Sequence, residues 1–86
     1  MAIKPTSPQE QEAINQIVLN GSYRHYKGKM YTVIELTRHS ETLELMVVYR
    51  AEYDSDFGSN TLWVRPLTMF IEKIDKPPFS KRFELV

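Results

Sequence analysis

The stretch Leu43-Glu44-Leu45-Met46-Val47-Val48-Tyr49-Arg50-Ala51 carries the strongest strand signal of the chain, with Val47, Val48 and Tyr49 near its centre. β-Branched and aromatic side chains suit a pleated, half-buried surface. Just before it, residues 38–42 are polar and turn-like. Before those, residues 29–36 alternate Met30, Thr32, Ile34 and Leu36 with Tyr31, Val33 and Glu35. Two strands joined by a short polar loop predict a hairpin. Further back, residues 23–26 read as a short strand and Lys27-Gly28 as a tight turn. On the other side, residues 52–60 contain Asp-Ser-Asp-Phe-Gly-Ser-Asn, which is loop chemistry. Residues 61–65 predict a further strand, stopped by Pro66. Residues 66–70 predict a single helical turn, and 70–74 a last short strand. Pro77-Pro78 then breaks regular structure ahead of a tail at 79–86 that is basic and aromatic in patches.

The N-terminal segment predicts one short helix. Ser7 is a natural N-cap, Pro8 suits the first helical position, and Glu10 completes a capping box. Ala13, Ile14, Ile17 and Val18 share one face, and Asn20-Gly21 supplies a stop. The fold class expected is therefore mostly β: a small, strongly bent antiparallel sheet with an N-terminal α-helix. A chain this short removes exposed edges most economically by curling into a barrel. The expected division is a helical extension at 1–21, a β domain at 22–74 and a tail at 75–86.

At 86 residues the chain makes one domain with a thin stability margin. It has no Cys, which excludes disulfides and thiolate metal sites. Eleven basic residues balance eleven acidic ones, so any polyanion site needs local segregation of charge. The apolar runs are too short to span a bilayer. The start Met-Ala-Ile-Lys-Pro lacks a signal-peptide core, and a cytoplasmic address is expected.

Four motifs follow one another at close spacing: Tyr23-Arg24-His25-Tyr26-Lys27-Gly28, His39-Ser40-Glu41-Thr42, Val47-Val48-Tyr49-Arg50, and Trp63-Val64-Arg65-Pro66-Leu67 with Met69-Phe70. In this, residues 22–74 resemble the bacterial family known as domain of unknown function 1653. The resemblance implies a small SH3-type β-barrel, in agreement with the strand count, and it implies no role for any residue.

The candidate site residues are Tyr23, His25, His39, Arg50, Trp63 and Arg65. Along a strand, Tyr23, His25 and Lys27 point one way and Arg24 and Tyr26 the other. One such face makes a stacking-plus-cation surface of the kind that single-strand binders use; the structural alternative packs one Tyr in the core. Arg50 and Arg65 each end an apolar strand and present a planar fork for carboxylate or phosphate, unless Glu52 or Glu72 takes them. Trp63 is either a core anchor or a binding platform. His39, Ser40 and Glu41 invite a hydrolase reading, yet adjacent residues at a hairpin tip seldom assemble a triad, and turn-fixing is the alternative.

Asp54 and Asp56 imitate half of a calcium loop, but Phe57 stands where Gly is required and Trp63 where a bidentate Glu belongs. No metal, cofactor or phosphate-cradling loop is indicated. The functional expectation is a noncatalytic module binding an anion, either nucleic acid or a phosphate- or carboxylate-bearing molecule. Two alternatives stay open: a protein-docking domain using Leu67, Met69 and Phe70 or residues 79–83, and a small oligomeric enzyme using His39 or His25 with a carboxylate. Oligomeric state is not specified by the sequence.

Overall fold

The computed structural model describes residues 3–86, so Met1 and Ala2 of the start read above lie outside the described residues. In chain order the elements are helix α1 (Pro8–Asn15), strands β1 (Ser22–His25), β2 (Met30–Arg38), β3 (Leu45–Ala51), β4 (Asp54–Ser55), β5 (Gly58–Ser59) and β6 (Leu62–Pro66), helical turn α2 (Leu67–Phe70), and strands β7 (Lys73–Lys76), β8 (Phe79–Lys81) and β9 (Phe83–Leu85). The expected hairpin is the centre of the molecule: β2 pairs antiparallel with β3 from Tyr31↔Ala51 to Arg38↔Leu45. β1 adds to β2, β6 adds to β3, and β9 returns to pair with β1. The sheet order is β6-β3-β2-β1-β9, flanked by the small hairpins β4–β5 and β7–β8.

The domain is thus mostly β and antiparallel with an N-terminal helix, as expected. Among the described residues no ladder joins the edges β6 and β9, so the hydrogen-bonded sheet stays open and does not close into a barrel. The segment expected as a tail supplies β8 and β9 and becomes part of the sheet system.

Plain alternation along β2 would send Glu35 inward with Tyr31 and Val33. A bulge between Val33 and Glu35 prevents this. One extra residue resets the pleat. Leu36 then joins Val33 in the core, and Glu35 accepts the Leu36 N–H at 3.0 Å. β3 needs no such device: Leu45, Val47, Tyr49 and Ala51 all face inward. Tyr23, Leu67, Phe70 and Phe83 complete the core, with Phe70 stacked on Phe83 at 4.2 Å between ring centroids.

Ser7 caps α1 by accepting the Glu10 N–H at 3.1 Å. The reciprocal half of the capping box is displaced by one residue, because the Glu10 carboxylate accepts the Thr6 N–H at 2.8 Å. α1 ends at Asn15, earlier than Asn20-Gly21. The Tyr23 hydroxyl explains this: it accepts the Val18 N–H at 3.0 Å and donates to the Gln16 carbonyl at 3.4 Å, taking over groups that another helical turn would use. Gly21 serves close packing, since a Cβ there would lie 2.9 Å from the Val18 carbonyl. Ala13, Ile14 and Ile17 pack on the core, while Val18 is exposed. No helix among the described residues is long and apolar enough to cross a membrane.

Arg38 ties α1 to the hairpin. It pairs with both Glu10 oxygens, at 3.0 and 3.2 Å, and donates to the carbonyls of Lys4 and Leu43, each at 2.8 Å. The Arg38 hydrogen bonds, helped by Thr6, pull the Glu10 carboxyl from 4.5 down to about 2. A carboxyl depressed on folding contributes stability above its unfolded value and loses it as pH falls through the folded one. Glu10→Gln should therefore flatten the acid-unfolding profile between about pH 4.5 and about 2, read by circular dichroism, and leave the profile above that window parallel to wild type. In the core, Phe70→Ala should cost about 3–5 kcal/mol in urea unfolding, enough to leave a domain this small largely unfolded.

Candidate functional site

Register decides which of the six candidate residues can meet. Trp63 lies opposite Tyr49, and Arg65 opposite Val47. Directly opposed residues share a face of the sheet. Both therefore project on the inner face with the core, but from edge strand β6. Pro66 follows at once and lacks the N–H that a further ladder step would need, so Arg65 is the last inner side chain before α2. His25 lies opposite Phe83 and also faces inward.

At the open end of the sheet Arg65 and His25 converge on Phe83. The Arg65 guanidinium sits over its ring at 5.3 Å, and the His25 ring meets it edge-on at 5.0 Å. Tyr31 packs edge-on against the same ring at 5.7 Å, and its hydroxyl is hydrogen-bonded to that of Tyr53 at 2.6 Å. Burial and that hydrogen bond push the Tyr31 hydroxyl above its usual range. Lys29 lies 4.8 Å over the Tyr53 ring. At the strand edge Trp63, 36% exposed, takes Phe57 edge-on at 5.5 Å.

The charges are unevenly matched. Of the five arginines, Arg38, Arg50 and Arg82 hold Glu10, Glu52 and Glu72 at 3.0, 2.8 and 3.2 Å. Arg65 has no carboxylate partner among the described residues, and neither does the exposed Arg24. His25 is held by its turn: its Nδ1 accepts the Lys27 N–H at 3.2 Å, and Gly28, at φ 106°, closes the turn onto the His25 carbonyl. Burial, and then the charges of Arg65, Arg82 and Lys27, lower the pKa of His25 below 6.5.

The sheet divides the remaining candidates. Tyr23 shares the inner face but is core, with its hydroxyl committed to the end of α1. Arg50 projects from the outer face, opposite Thr32 and Leu62, and Glu52 holds it, as the structural alternative required. His39 sits on the exposed β2–β3 turn, where its Nδ1 accepts the N–H groups of Glu41 and Thr42 at 3.1 and 3.3 Å. The Ser40 hydroxyl donates to the Glu41 carboxylate, not to His39. That wiring fixes a turn and is not the Ser-to-His relay of a triad.

Phe83, Tyr31 and Tyr53 were missed as site residues. Phe83 lies beyond Pro77-Pro78, in the segment taken for a tail; the alternation Phe83-Glu84-Leu85 was the signal available for a strand. A cleft of about 260 Å³ does not coincide with the Arg65 cluster. It lies between Arg24, Tyr26, Pro78, Phe79 and Glu84, and shares only His25 with it. The charge and ring geometry, more than cleft size, identifies the Arg65 end as a candidate.

Residues 21–85 match the profile of the family described as Protein of unknown function (DUF1653). The chain belongs to this family. The matched span takes in every strand and leaves α1 outside. A crystal structure of a DUF1653 protein from Bordetella bronchiseptica is similar, with a TM-score of 0.70 and 36% identity over 83% of this chain and 90% of that one. No curated protein matches. DUF1653 membership assigns no ligand, so the site rests on its own geometry. Arg65→Ala in this DUF1653 chain should raise the pKa of His25 toward 6.5, followed through the imidazole proton shifts in an NMR pH titration.

Proposed function

We propose that this DUF1653 domain is a noncatalytic binding module that takes an anion bearing an apolar part at the open end of its inner face. Arg65 carries the reading: it is a half-buried guanidinium laid over an aromatic ring with no acid paired to it among the described residues. An unpaired Arg in a partly dry, ring-lined setting holds a carboxylate or phosphate more strongly than one in open water. The half-buried Tyr31 and Tyr53 give the apolar part of a ligand a surface, with buried Phe83 beneath Arg65 as their support; His25 adds a second nitrogen group, and Trp63 forms a rim. Tyr23 serves the fold, and Arg50 and His39 lie outside this constellation. We read the sheet as an SH3-type barrel left open between β6 and β9, with the Arg65–Phe83 contact spanning the gap. That reading is supported by the return of β9 to β1 after helical turn α2. A cytoplasmic address suits a chain without Cys.

A protein-docking reading has one observation in its favour: Leu62 and Val64 are 59% and 55% exposed on edge strand β6. The apolar residues first assigned to docking do not favour it, because Leu67 and Phe70 are core, and only Met69 of the three is exposed.

The test is NMR titration with phenyl phosphate and with inorganic phosphate. Phenyl phosphate should bind more tightly and shift His25, Trp63 and Arg65. Arg65→Ala should abolish binding while changing stability by about 1 kcal/mol or less, the scale of a cation–π contact. A stability loss of several kcal/mol with binding retained would make Arg65 structural and refute the assignment.

A further inference from the structure

The zero net charge of the chain hides a segregation. Residues 22–29 and 71–82 hold seven Lys or Arg against two acids, Glu72 and Asp75; the rest of the chain holds four against nine. The two segments are neighbours in space. The Tyr26 N–H donates to the Arg82 carbonyl at 2.9 Å, and the Tyr26 and Phe79 rings lie 6.4 Å apart.

Within the β7–β8 hairpin, Lys73 and Lys81 are direct cross-strand partners. Like charges placed opposite each other destabilise a strand pair. Neither lysine has an ion-pair partner among the described residues, and nor does Lys76. Glu72 cannot relieve them, because Arg82 holds it at 3.2 Å; Asp75 is the only other acid of the hairpin. The hairpin reaches, through Pro78 and Phe79, a cleft of about 260 Å³ whose lining also includes Arg24, His25, Tyr26 and one acid, Glu84, the cross-strand partner of Arg24. Phe79 is 40% exposed, and Lys27 lies 5.8 Å over the Tyr26 ring.

We propose that the β7–β8 hairpin and the β1–β2 turn form a binding track for single-stranded nucleic acid. Lys73, Lys76, Lys81 and Arg24 meet the phosphates, and Tyr26 and Phe79 stack unpaired bases at the cleft. Flat rings interleaved with uncommitted cations are how a protein holds a single strand without reading its sequence. The uncompensated Lys73–Lys81 pair lowers the stability of the hairpin in the free protein, and a phosphate between the two removes the repulsion. This track uses residues other than the Arg65 cluster and shares only His25 with it, so each assignment can fail alone.

The experiment is fluorescence anisotropy with a labelled single-stranded RNA or DNA of about twelve nucleotides, at low and moderate salt, on wild type, Lys81→Glu and Phe79→Ala. Lys81→Glu places an acid opposite Lys73. It should raise the melting temperature and weaken oligonucleotide binding about tenfold or more, with a shallower salt dependence. Phe79→Ala should weaken binding at least about fivefold. Lys73→Gln with Lys81→Gln removes the charges without adding one and should reproduce the loss, which keeps the test decisive if Lys81→Glu misfolds. Absence of binding at low salt, or affinity unmoved by the lysine and Phe79 variants, would overturn the proposal. So would silence toward the oligonucleotide with lysine-dependent binding to phosphatidylserine vesicles, which would assign the patch to a membrane surface.

Discussion

The contact between Phe70 and Phe83 is the constraint on which the rest depends. Their rings lie nearly parallel, at 7° and 4.2 Å, and they join α2 to β9. β9 is only three residues long and pairs with a four-residue β1, too little ladder to hold an edge by hydrogen bonds alone. Burial of Phe83 supplies the remainder, since an aromatic ring removed from water and stacked on another contributes several times what one backbone hydrogen bond does. Tyr23, Tyr31 and Tyr49 then pack edge-on around the same two rings. One face of the core is therefore also the floor of the candidate site: the ring that anchors β9 is the ring under Arg65.

Most of the sheet was legible because its signals are local. Val47, Val48 and Tyr49 mark β3, Lys27-Gly28 marks the first turn, and Pro66 stops β6 within its own neighbourhood. Two features were hidden because they depend on partners distant in the chain. The bulge in β2 is invisible to a period of two, which would have buried Glu35. β9 follows a proline pair and looks like a tail until β1 is there to receive it. The early end of α1 belongs to the same class, since the Tyr23 hydroxyl that ends it comes from the next element.

The candidate site was legible in composition and not in arrangement. Trp63 and Arg65 share a face by simple alternation, and His25 joins them through β9. Arg50 parts from them because it stands an odd number of positions from both Val47 and Tyr49, so it points outward to Glu52. Charge pairing adds what residue type could not: Arg50 and Arg65 look alike in sequence, yet one is neutralised and the other is not. The same accounting separates the basic end of the molecule, with Lys73 against Lys81, from the acidic remainder. A neutral chain can thus present an anion-attracting surface without the global field of a basic protein.

The central claim is that Arg65 is uncommitted in the free protein and lies over Phe83. It is tested most directly by following the arginine Nε–Hε resonances by NMR as inorganic phosphate is added. The account predicts that Arg65 responds, while Arg38 and Arg50, held by Glu10 and Glu52, stay fixed. An unmoved Arg65 beside a shifting Arg24 would contradict it and place the anion site elsewhere on the molecule.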